Sequence, residues 1–156
     1  MPFSVDISHE LSYSQRLQTI SQQWGFNCSC SLCGGPKVNH EVSDERLKRM
    51  GELEKQMDDL TPARTATTAS AYQLIKLYEQ EGLHTPIAMA YKYAALENIY
   101  IGNKTMAKHY STLSVHAARL WKGPRSQEVR EMEAVMEQPE NHKLWLISPA
   151  VQDRSR

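Results

Sequence analysis

The chain has 156 residues, 40% of them apolar and 23% charged, which suits one globular domain or one domain with an appended element. Eighteen Lys plus Arg offset eighteen Asp plus Glu, a balance that argues against a primary nucleic-acid binder. No run approaches the roughly 20 apolar residues that span a bilayer, and Met1–Glu10 lacks the basic and apolar regions of a secretory signal, so the sequence reads as nuclear or cytoplasmic.

Phe3, Val5 and Ile7 alternate with small or polar residues, and that period of two predicts a short extended segment in need of a partner sheet. From Tyr13 the period lengthens. Tyr13, Leu17, Ile20 and Trp24 share one helical face, with Ser12 or Ser14 as the cap and Gly25 as the stop. Phe26 leads into Cys28-Ser29-Cys30-Ser31-Leu32-Cys33, and Gly34-Gly35-Pro36 break any regular element there. Residues 37–43 read as a polar linker, with Ser43 capping an amphipathic helix whose seam is Leu47, Met50, Leu53, Met57 and Leu60. Residues 61–69, rich in Thr and Ala, read as a flexible connection.

The remainder predicts a small helical array. One helix carries Tyr72, Leu74, Ile75, Leu77 and Tyr78 and stops at Gly82. A second starts at Thr85-Pro86, where the missing proline amide is harmless, and ends at Gly102. A third runs from about Lys104 to Trp121, halted by Gly123 and Pro124, and a fourth from about Ser126 to Met136. Pro139–Trp145 form a docking tail, and Pro149–Arg156 are expected to fray. The fold class is therefore mainly α: a short extended N-terminal segment and a cysteine knuckle, then a tetratricopeptide-like helical array. Leu96, Ile99, Tyr100, Gly102, Ala107 and Tyr110 supply the repeat-like alternation of large and small residues. An ordinary helical bundle accounts for the same residues.

Three cysteines inside six residues make a poor disulfide framework, and in a reducing compartment metal ligation is the better reading. Zinc takes four soft or borderline donors in a tetrahedron, and Cys28, Cys30 and Cys33 can occupy three of its corners. His40, seven residues past Cys33, and His9 are the candidates for the fourth. The six histidines form no other metal motif, and no phosphate-binding loop, dinucleotide fingerprint or nucleophile elbow occurs.

The run Trp24-Gly25-Phe26-x-Cys28-x-Cys30-x-x-Cys33, behind a helix and ahead of a helical region, resembles the junction of a SET domain with its post-SET zinc knuckle. The resemblance is to the SET-and-MYND-type proteins and their fungal relatives. The resemblance implies that Cys28, Cys30 and Cys33 are zinc ligands. It also implies that Phe26 borders S-adenosylmethionine, with Trp24 a core residue. On this reading residues 1–36 are the end of a SET core plus the knuckle, 37–69 a linker and amphipathic helix, 70–146 the tetratricopeptide-like domain and 147–156 a flexible tail.

The family activity is S-adenosylmethionine-dependent methylation of protein lysines, histones included. The chain has no Asn-His-Ser-Cys-type stretch, glycine-rich cofactor turn or catalytic tyrosine in the expected place, Tyr13 lying too near the cysteines. It is expected to be a C-terminal portion that is inactive by itself, with S-adenosylmethionine a cofactor only beside the missing core. Its role is then zinc-stabilised binding of a protein partner or protein-lysine substrate through the helical region, without direct contact to nucleic acid or membrane. The alternative is a self-contained helical interaction module unconnected with methyl transfer. The two differ in whether Phe3, Ile7, Trp24 and Phe26 expose their apolar surface or dock against residues 70–145.

Overall fold

A computed structural model describes residues 11–31, 33–61 and 63–147. The extended segment expected at Phe3, Val5 and Ile7 lies outside the described residues, as do His9 and the tail from Pro149. Among the described residues the fold is helical throughout, with α1 (Tyr13–Trp24), α2 (Lys37–Asp58), α3 (Thr68–Gln80), α4 (Ile87–Tyr100), α5 (Lys104–Trp121), α6 (Gln127–Glu137) and a short 3-10 turn at Pro139–Asn141. No helix among them is long and apolar enough to cross a membrane. The chain divides into two compact units, Met1–Glu52 and Leu53–Arg156.

In the first unit, α1 begins where its sequence provides a cap. The Ser12 hydroxyl accepts from the Gln15 amide while the Gln15 side chain accepts from the Ser12 amide, a reciprocal capping box. Gly25, at φ +69°, ends the helix in the left-handed conformation that costs glycine nothing. The expected linker at 37–43 is instead the first two turns of α2, which starts at Lys37 directly after Pro36. Ser43 is no cap. It lies inside the helix, 1% exposed, on one stripe with His40, Leu47 and Met50.

In the second unit, Leu53 and Met57 continue the apolar face, whereas Leu60 falls past the helix end and is 65% exposed. Two tyrosines of the array anchor this last stretch of α2. The Tyr78 hydroxyl donates to Glu54 Oε1 at 2.6 Å, and the Tyr93 hydroxyl to Asp58 Oδ1 at 2.7 Å. The connection to α3 is tied down rather than loose. Arg64 donates from Nε to the Asp59 carbonyl, pairs its guanidinium with the Glu97 carboxylate and lies 4.1 Å from the centroid of the Tyr100 ring.

The array itself packs neighbour on neighbour: α3 on α4, α4 on α5 and α5 on α6. Helix α4 is apolar almost all round because it is covered on two sides, a pattern that marks a buried helix. Small residues make the close approach possible. Ala88, Ala90, Ala94 and Ala95 of α4 and Ala107, Ser111, Ser114 and Ala118 of α5 are all buried, and the Ser114 hydroxyl donates to the Ala88 carbonyl across the interface. Thr67, Asn103 and Ser126 cap α3, α5 and α6 by accepting from backbone amides three residues on. After α6 the chain returns: the Leu146 amide donates to the Ile99 carbonyl at 3.1 Å. The Leu146 side chain occupies the space where a Cβ on Gly102 would sit, so Gly102 serves both its φ of +72° and this contact.

Candidate metal centre

The knuckle follows from two breaks in the chain. Gly25 terminates α1, residues 26–29 run without regular structure, and a tight turn then closes when the Gly34 amide donates to the Cys30 carbonyl at 2.8 Å. A Cβ on Gly34 would meet the Cys30 and Ser29 carbonyl oxygens at 3.3 and 3.4 Å, so the turn is compact around it. The result places the sulfurs of Cys28, Cys30 and Cys33 within 4.8 Å of one another. Tetrahedral coordination with zinc–sulfur bonds near 2.3 Å needs sulfurs about 3.8 Å apart, a spacing that small side-chain rotations reach from here.

The three differ in surroundings. Cys30 is exposed, Cys28 half-buried and Cys33 buried. Burial pushes the Cys33 thiol up to about 12, and hydrogen bonds and charge repulsion from Cys30 and Cys28 add to it. Ionising Cys33 is therefore costly without a cation beside it. A divalent cation reverses that logic, since a coordinating thiol is deprotonated outright. The Cys33 amide donates to Cys30 Sγ at 3.4 Å, a backbone contact of the kind that spreads thiolate charge and orients a ligand.

Tyr13 ties the knuckle to both helices of its unit. Its hydroxyl donates to the Cys33 carbonyl at 3.3 Å, its amide to Asp44 Oδ1 at 2.7 Å, and its ring stacks on His40 with centroids 3.7 Å apart and planes 13° from parallel. The sequence placed Tyr13 only on a helical face. A phenol at the start of a helix twenty residues from the last cysteine carries no local signal for this role. The stacking also decides the place of His40. It is 8% exposed against Tyr13, and among the described residues no histidine or carboxylate joins the three sulfurs within the same span.

Phe26 and Trp24 are 52% and 38% exposed, so Trp24 is not the core residue that the resemblance implies. Comparison of the chain with protein-family models, with curated proteins and with solved structures finds no match.

Proposed function

We propose that Cys28, Cys30 and Cys33 hold a structural zinc ion, and that the chain is the post-SET and helical region of a SET-and-MYND-type protein, serving as a zinc-stabilised surface for a protein partner. The observation that carries the metal reading is the convergence of three sulfurs within 4.8 Å on a loop closed by Gly34. Zinc would supply a cross-link there, joining the irregular stretch after α1 to the turn before α2. The exposure of Trp24 and Phe26 supports the family reading, because a knuckle that normally closes a pocket presents its aromatic lead outward when it stands apart from that pocket. The neighbour-on-neighbour packing of α3 to α6 through small residues supports a tetratricopeptide-like array.

Methyl transfer needs a donor aligned with a deprotonated amine in a dry channel. The second reading, a self-contained helical interaction module, is favoured by the second unit's own well-filled core of Leu74, Tyr78, Ile99, Val129 and Met132. Metal analysis of reduced, freshly purified protein tests the first part, with one equivalent of zinc expected and far less than one counting against it. Calorimetry with S-adenosylmethionine tests the second. Very weak binding is expected, and a micromolar or tighter dissociation constant would overturn the reading of a chain without the cofactor-binding core.

A further inference from the structure

We infer that Cys30 and Cys33 form a peroxide-reactive thiol pair, a site at which oxidation to a disulfide discharges the metal. The inference rests on the zinc reading for its consequence but not for its chemistry. Three observations distinguish this pair from the other combinations. Cys30 is the exposed thiol of the three, so an oxidant in solution reaches it first. The Cys33 amide donates to its sulfur at 3.4 Å, which holds that sulfur against the backbone of Cys33. Cys30 and Cys33 also sit three residues apart on one turn closed by the Gly34 amide, whereas Cys28 precedes that turn on a stretch without regular structure. A disulfide needs Cα atoms about 5.5 Å apart, a separation that a single tight turn provides.

The chemistry balances with a hydroperoxide as oxidant. The Cys30 thiolate attacks one peroxide oxygen, an S–O bond forms, the O–O bond breaks and hydroxide leaves as water after taking a proton. The Cys33 thiol beside it passes its proton to the sulfenic oxygen as its sulfur attacks the sulfenic sulfur; the S–S bond forms, the S–O bond breaks, and that oxygen departs as water. Two thiols and one hydrogen peroxide become one disulfide and two waters. The product removes two of the three sulfur donors, leaving Cys28 alone, and metal retention is lost with them.

The test uses the full chain in two arms, zinc-loaded and zinc-stripped, each treated with hydrogen peroxide and then with an alkylating reagent before mass mapping. A chelating chromophore reports zinc release in the loaded arm. The expected result is an intramolecular Cys30–Cys33 disulfide in both arms, alkylation confined to Cys28, and release of the bound zinc. Cys28→Ser is expected to keep the disulfide and Cys30→Ser to abolish it. A disulfide through Cys28, over-oxidation of single cysteines, or zinc that stays bound at peroxide levels oxidising a free thiol each overturns the pair. An empty loaded arm with the disulfide intact in the stripped arm sinks the metal reading and leaves the pair standing, so the two failures are distinguishable.

Discussion

At the scale of single residues, the geometry of the cysteine loop depends on groups beyond the three thiols. Tyr13 reaches the Cys33 carbonyl with its hydroxyl and holds His40 under its ring, so one side chain fixes both the loop and the start of α2. Tyr13→Phe keeps the ring stack and deletes only the hydroxyl. The buried carbonyl then loses its donor, a change worth about 1 kcal/mol, or roughly a fivefold loss of zinc affinity in a chelator competition. Ser29→Ala, at an exposed position in the same loop, is expected to leave that affinity unchanged. Equal effects from the two substitutions would show that Tyr13 merely sits nearby. None of this could be read from spacing, because the contact joins residues twenty apart through a hydroxyl whose direction is set only once α1 and the loop are folded.

At the scale of elements, caps and stops were legible and tethers were not. Ser12, Gly25, Gly102 and Ser126 work through hydrogen bonds or φ angles within a few residues, and local chemistry of that kind is written in the sequence. Ser43 resembles a cap and so draws the expected start of α2 to itself, although Pro36 directly before Lys37 is the better signal. Burial of His40 and Ser43 is a tertiary matter with no local mark. The Arg64 tether is similar, since its partner Glu97 is 33 residues away.

Both side chains of that pair are nearly buried, at 14% and 5% exposure. Arg64→Met strands the Glu97 carboxylate and is expected to destabilise the second unit by about 3 kcal/mol, read as a fall in urea midpoint. Arg64→Met combined with Glu97→Leu removes both charges and is expected to recover most of the loss. A double variant no better than the single one would mean that Arg64 acts through packing on Tyr100 instead.

The tail after α6 makes a pH-dependent element. Burial, then the nearby Lys143 charge, holds the His142 imidazole below its ordinary 6.5. The unfolded or undocked tail therefore takes up a proton that the docked tail resists. Docking is at full strength above about pH 6.5 and weakens as the pH falls through that value. Hydrogen exchange at the Leu146 amide, which donates to the Ile99 carbonyl, reports docking directly. Its protection is expected to drop on acidification while that of α4 holds, and His142→Gln is expected to flatten the response. Protection that falls to the same extent in the variant would place the acid sensitivity elsewhere.

At the scale of the whole chain, the two units draw their stability from different sources. The second has a packed helical core, with Leu74, Tyr78, Ile99, Val129 and Met132 almost wholly buried. The first has fewer buried apolar side chains among its described residues, and below about 40–60 residues a unit usually needs a metal, a disulfide or a partner to hold its shape. Metal binding energy in such a unit is folding energy. A chelator should therefore act on one part of the chain. Hydrogen exchange with and without chelator is expected to show protection lost through α1 and residues 26–36, with α3 to α6 unchanged, and Cys30→Ser is expected to reproduce that map. Because α2 runs unbroken from Lys37 to Asp58 across the division between the units, its first turns are the informative place. Fraying that begins at Lys37 and dies out before Leu53 would mark the reach of a bound metal, whereas equal loss of protection in both units would mean that they fold as one.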